Sequence, residues 1–197
     1  MPPADDTPSP GPQGKPLGDQ LLAAALRYAA RGFHVHPLRA GFKTPHLDDW
    51  PAMASTDPGT IGSWWGQWPT ANVGIACGPG SGLTVLDLDV KDAAPGLATG
   101  RRLLSDSWSQ ALTHVRTPSG GAHVYVEHQH AWGNRKLKRY GLDIQGEGSY
   151  VVAPPSVLSG EAARDVAGPY LVVHGAEPVL YSGQDPLNAA VLALLRE

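Results

Sequence analysis

The sequence predicts a mixed α+β domain, and three observations predict it. Apolar residues recur with helical period early in the chain and again between strands. The second half is dominated by short stretches that alternate in polarity. Glycine (24) and proline (19) are abundant among the 197 residues, which implies many loops between short elements. A chain of this length can bury a real core. With 42% hydrophobic and 17% charged residues, the composition is that of an ordinary globular protein. No apolar run approaches the roughly 20 residues of a membrane helix, and no signal-peptide pattern follows Met1. A single cysteine, Cys77, forms neither an internal disulfide nor a cysteine-based zinc site. The expected compartment is the cytoplasm, with no membrane partner.

Residues 1–18 carry six prolines and few apolar side chains, so burial cannot offset their ordering entropy and they read as a flexible leader. A helix is expected from Asp19 to Arg31, with Leu21, Leu22, Ala25, Leu26 and Ala29 as its apolar stripe and Gly32 as its stop. Phe33–Leu38 alternates as a strand, and Arg39–Asp49 reads as a loop carrying Lys43. Thr56, Asp57 and Pro58 start a second helix with Ile61, Trp64 and Trp65, ending near Trp68. Strands are expected at Asn72–Cys77 and Leu83–Val90, and a helix at Leu97–Leu104. Further strands are expected at Thr113–Arg116, Ala122–Glu127, Gly141–Gln145, Tyr150–Ala153 and Tyr170–Val173. Residues 19–175 form the expected domain. Residues 176–197 read as a linker and the start of a helix that is cut off, as in a domain excised from a longer chain.

The net charge of −3 is awkward for a nucleic-acid enzyme, because phosphate backbones are normally met by surplus Lys and Arg. Carboxylates that gather a cation offset part of this, and the basic residues are uneven: Arg135, Lys136, Lys138 and Arg139 fall within five positions. That segment, beside Trp132 and Tyr140, reads either as a nucleic-acid contact, with an aromatic stacked on a base, or as a solvated hairpin tip.

The sharpest chemical feature is Leu83-Thr-Val-Leu-Asp-Leu-Asp-Val90. Residues two apart on a strand share a face, so Asp87 and Asp89 point together while Leu86, Leu88 and Val90 point into a core. Two acids about 6–7 Å apart can grip hard divalent cations. The alternative is the solvated face of an edge strand, although aspartate is depleted in strands and paired acids repel. Asp143 repeats the pattern between Leu142 and Ile144. His123 follows the turn Thr117-Pro-Ser-Gly-Gly121, where Gly120 and Gly121 can bring backbone N–H groups to a phosphate; the alternative is an ordinary hairpin histidine. The pairs His34/His36 and His128/His130 each suggest a zinc site but have no third ligand in view. There is no GxxxxGK[ST] phosphate loop.

Taken in order, Leu86-Asp-Leu-Asp-Val90, Thr117-Pro-Ser-Gly-Gly-Ala-His123, Gly141-Leu-Asp-Ile144 and Val152-Ala-Pro-Pro-Ser156 resemble the motifs of the bifunctional primase-polymerase domain of the archaeo-eukaryotic primase superfamily. Ala29–Phe33, Gly41–Pro45 and Ala71–Ile75 match upstream, so the resemblance spans Leu21–Val173. It implies an RNA-recognition-motif-like sheet with an N-terminal α/β unit, and DNA-templated nucleotidyl transfer in plasmid, phage or mobile-element replication. It further implies that Asp87, Asp89 and Asp143 hold Mg²⁺ or Mn²⁺, and that His123, Ser119, Gly120 and Gly121 hold the nucleoside triphosphate. Lys43 and Ser156 match family positions expected in the same pocket. The implied partners are a single-stranded DNA template with primer, triphosphates, and a helicase domain or protein. Two positions depart from the pattern: Gly121 stands where the wider superfamily has serine, and Gln145 where relatives often carry a basic residue. Two other readings of the same residues are a non-catalytic nucleic-acid or nucleotide-binding module and a metal-dependent phosphodiesterase.

Overall fold

A computed structural model describes residues 16–104, 114–159, 166–173, 178, 180–181 and 184–196. The expected leader lies outside these residues up to position 15, as does the predicted strand start at Thr113. The chain runs α1 (Leu17–Ala30), β1 (Val35–Leu38), α2 (Trp50–Met53), α3 (Pro58–Gln67), β2 (Asn72–Ala76), β3 (Leu83–Leu88) and α4 (Gly96–Leu104). Then follow β4 (His114–Arg116), β5 (Ala122–Glu127), β6 (Arg135–Leu137), β7 (Leu142–Gln145), β8 (Tyr150–Ala153), β9 (Val157–Leu158), β10 (Gly168–Pro169), β11 (Leu171–Val173) and α5 (Gln184–Leu194). The fold is α+β.

Local chemistry accounts for the helix ends. At the end of α1, Gly32 adopts φ +89° and donates to Ala29 O, while Phe33 N donates to Tyr28 O. These are the two bonds of a Schellman stop, and the rings of Phe33 and Tyr28 make its hydrophobic contact at 6.5 Å. At the start of α3, the Asp57 carboxylate accepts from Thr60 N at 2.7 Å and Pro58 occupies a position that needs no donor.

The strands form a three-stranded sheet, β1-β2-β8, a two-stranded ribbon, β9-β10, and a six-stranded sheet in the order β11-β4-β5-β3-β7-β6. Every pairing within them is antiparallel. β3 is therefore central in the large sheet, which removes the edge-strand reading of its acids. Its side chains alternate between two cores. Leu83 and Val85 join Phe33, Ile61, Trp65 and Val73 in a core shared with the N-terminal helices and small sheet. Leu86 and Leu88 join Trp132, Leu142 and Ile144 in a second core closed by α4 and α5.

Several expectations are corrected here. The basic stretch Arg135–Leu137 is edge strand β6, not a hairpin tip, and Lys138–Tyr140 forms a 3₁₀ turn. Charged side chains suit an exposed edge, where they oppose pairing with another chain. Trp132 cannot stack on a base: it is fully buried, and its Nε1 donates to Asn188 Oδ1 of α5 at 2.8 Å. The C-terminal helix is a packed element, with Leu187, Val191 and Leu194 buried in the second core. Among the described residues, neither histidine pair gathers a third ligand for zinc. His36 lies inside the first unit, 4.8 Å from the Trp50 ring and 4.9 Å from the Tyr150 ring, while His34 precedes the strand. His128 and His130 lie beyond the end of β5 with rings 6.4 Å apart.

Neither ring nitrogen of His36 has a hydrogen-bond partner among the described residues, and burial pushes its pKa down to about 3 from the ordinary 6.5. His36 is thus neutral in the fold and chargeable when unfolded. Its contribution is fully present above pH 6.5 and is lost as pH falls toward 3. At pH 5 the loss is about 2 kcal/mol. Urea midpoints measured from pH 7 to pH 5 are expected to fall for the parent, and to fall measurably less for His36→Phe. Leu187→Ala, which empties a site in the second core, is expected to cost about 2–5 kcal/mol in the same assay.

Candidate active site

The register of the large sheet builds the site. Asp87 of β3 stands directly opposite His123 of β5 on one side and Asp143 of β7 on the other. The row continues to Lys136 on β6, which faces Asp143. Directly opposed residues have Cβ atoms about 4.5–5.5 Å apart, so these four side chains share one patch of one face. On β3 that face carries Val85 into the first core and Asp87 into a cleft, so the site sits where the strand emerges from under the N-terminal unit.

Asp89 lies one residue past the end of β3 and is fixed by its backbone. Its N–H donates to Gly141 O at 2.7 Å, and its carbonyl accepts from Gly96 N at 3.0 Å. The Asp89 carboxylate accepts from Lys91 N at 3.0 Å. Gly96 and Gly141 pass so close that a Cβ on Gly96 would lie 2.4 Å from Asp89 O and 2.6 Å from Gly141 O. Side-chain-free residues are required at this crossing.

Burial pushes the Asp143 carboxyl up from its ordinary value; Lys136 opposes this, and Asp87 and Asp89 add a smaller upward push. Lys136 Nζ lies 3.7 Å from Asp143 Oδ2 and is largely exposed. His123 Nε2 lies 3.6 Å from Asp87 Oδ1, beyond hydrogen-bond range, and its Nδ1 is buried without a partner among the described residues. Burial lowers the pKa of His123, the nearby charge of Lys43 acts in the same sense, and Asp87 opposes both.

A small cleft of about 80 Å³ lies over Asp87 and His123. Lys43, Asp87, Asp89, Ser119 and His123 all line it. Lys43 sits on a loop whose carbonyls are pinned: Tyr150 Oη donates to Lys43 O at 2.9 Å and Asn72 Nδ2 to Phe42 O at 3.1 Å. Lys91, Thr117 and Tyr170 also line the cleft and escaped sequence reasoning. Lys91 was legible in principle, two residues past Asp89. Tyr170 carried no local signal, because it arrives through β9 and β10 from a distant part of the chain.

Five expected positions behave differently. Ser156 is fully buried behind the cleft: its Oγ accepts from Val73 N at 2.8 Å, and its carbonyl accepts from Tyr170 N at 2.9 Å. It anchors Tyr170 and does not line the cleft. The Gly120 N–H is spent closing its own turn on Thr117 O at 2.9 Å, at φ +88°. Gly121 serves close packing, since a Cβ there would lie 2.4 Å from Leu88 O. Of the basic group, Lys136 and Lys138 border the acids, whereas Arg135 pairs with Ile144 on the alternate sheet position and Arg139 stacks over Tyr140 at 4.6 Å.

Among the described residues, no group of three or more His, Cys, Asp or Glu side chains is arranged to hold a metal ion as it stands. The donor chemistry nevertheless fits a hard divalent cation: all three acids offer oxygen, and two of them are directly opposed like charges that a cation would relieve.

No curated protein matches the chain. A family model does, that of the bifunctional DNA primase/polymerase N-terminal domain, over residues 25–180, which include every acid of the row. The chain belongs to the bifunctional DNA primase/polymerase family.

Proposed function

We propose that this domain joins nucleotides from nucleoside triphosphates to a 3′-hydroxyl on a DNA template in a reaction that depends on Mg²⁺ or Mn²⁺. Primase/polymerase nucleotidyl transfer is the activity of the family. The observation that carries the finer reading is the opposition of Asp87 to Asp143 across a central strand pair. Like charges placed there destabilise a sheet unless a cation lies between them.

Asp87, Asp89 and Asp143 would hold the cation. When bound, it supplies the positive charge that makes a 3′-hydroxyl more acidic and neutralises a departing pyrophosphate. The remaining work belongs to the side chains around it. Lys43 and Lys91 bring positive charge to the triphosphate, and Ser119 and Thr117, 3.0 Å apart at Oγ, offer hydroxyl donors from the turn. His123, kept neutral by burial, presents Nε2 beside Asp87. Leu158, Val166 and Tyr170 give the cleft an apolar wall suited to a nucleoside. In transfer, the 3′-hydroxyl gives up its proton to solvent as its oxygen bonds to the α-phosphorus, the α–β phosphate bond breaks, and pyrophosphate leaves with the electron pair.

A labelled primer on a template separates the readings. The parent with Mn²⁺ and deoxynucleoside triphosphates is expected to lengthen the primer. Shortening would favour a phosphodiesterase, and binding without turnover a binding module. Asp87→Asn and Asp143→Asn are each expected to lower incorporation by about 100-fold or more, the scale of losing a charged group that acts at the transition state. Parent-like incorporation by Asp87→Asn overturns the assignment. Gly96→Ala is expected to displace Asp89 and lower incorporation by about 100-fold, as ångström-scale misplacement of a reacting centre does.

A further inference from the structure

We infer that a second pocket, behind the aromatic cluster of the N-terminal unit, receives a nucleobase bearing an exocyclic amino group. The inference rests on reading the chain as a nucleic-acid enzyme and adds a ligand site away from the three acids. The pocket, about 280 Å³, lies at the end of the small sheet where β1 begins, β2 ends and β8 begins. Sites for small ligands begin near that size, at roughly 300 Å³. His34, Trp50, Ser81 and Glu147 line it with Gly80.

The glycine-rich turn at 78–82, which lacks the lysine of a phosphate loop, has its explanation here. A Cβ on Gly80 would lie 3.0 Å from His34 Nδ1, and one on Gly78 would lie 3.0 Å from Glu147 Cα. The two glycines let the turn close on both neighbours. Ser81 completes the closure, its Oγ accepting from His34 N at 2.9 Å.

The lining chooses the ligand. Among the described residues that form it, none is Lys or Arg and Glu147 is the one acid, so a phosphate is repelled. Trp50 supplies a flat surface: its ring lies on His36 with centroids 4.8 Å apart, and the rest of the half-buried indole is left to the pocket. Any base can stack on such a ring. The exposed Glu147 carboxylate accepts from an amino group, as an acid does from cytosine N4. Thymine has no amino group to offer. The pocket is also one ring away from the acids. Trp50 meets Tyr150 at 4.8 Å and 70°, and Tyr150 lines a space shared with Lys43, Asp87 and His123. Two sources present such a base, an unpaired stretch of DNA and a free nucleoside.

NMR of the indole N–H signals tests the site, with Trp50 assigned by its loss in Trp50→Phe. A deoxycytidylate dodecamer is expected to move the Trp50 signal saturably, and a thymidylate dodecamer to move it less. Movement by deoxycytidine but not by the dodecamer assigns the pocket to a free nucleoside. Glu147→Gln is expected to weaken deoxycytidylate binding about 10-fold, the scale of a lost hydrogen bond to a charged group, and to leave thymidylate binding unchanged. A purely electrostatic role predicts the opposite sign, because removing an acid strengthens binding to a polyanion. A Trp50 signal that moves with neither ligand, or Glu147→Gln binding that is unchanged, tighter or equally weakened for both homopolymers, overturns the inference while the parent still extends primers. A Trp50 signal that moves as expected in a chain that does not extend primers defeats the transfer reading alone.

Discussion

The pairing of β3 between β5 and β7 is the constraint on which the rest of the molecule depends. That register sets Asp87 opposite both His123 and Asp143. Because side chains alternate strictly along a strand, a slip of one residue would send Asp87 into the second core and Leu86 into the cleft. The hydrophobic residues therefore hold the geometry of the acids. Leu86, Leu88, Val124, Leu142 and Ile144 are all buried on the far face, and burying each such side chain contributes about 1.5–3 kcal/mol. Together they make the slipped register inaccessible, and the acids stay opposed despite their repulsion.

Around this row the chain spends its polar side chains on positioning. Ser156 holds β2 and Tyr170, Tyr150 and Asn72 hold the Lys43 loop, and Gly96 and Gly141 let two backbone segments close on Asp89. None of these needs to touch a ligand. The N-terminal unit thus supplies one wall and Lys43, while the central strands of the large sheet supply the acids and His123. His36 belongs to the same support: its ring lies against Tyr150, whose hydroxyl donates to the Lys43 carbonyl.

Much of this was legible in the sequence where the information is local. The α1 stop at Gly32, the Asp57-Pro58 start of α3 and the alternation around Asp87 each follow from a few neighbouring residues, and the structure bears them out. The α+β class and the family follow from short motifs in order. Information carried by pairing was not legible. Nothing near Arg135 announces that it joins the edge of a sheet, because a short charged strand has no apolar alternation to reveal it. Ser156 looked like a ligand contact because a motif marks that a residue matters but not whether it faces the pocket or holds it. Trp132 reads locally as a stacking surface, but α5, distant in sequence, covers it. The cleft exists only once β3, β5, the 117–119 turn and the Lys43 loop are brought together.

The most direct measurement is the anomalous signal of Mn²⁺ in crystals grown with a non-hydrolysable nucleoside triphosphate. The account predicts manganese held by oxygens of Asp87 with Asp89 or Asp143, and a triphosphate running toward Lys43 and Ser119. Manganese bound elsewhere, or a triphosphate seated away from His123 while the three carboxylates remain bare, would contradict it.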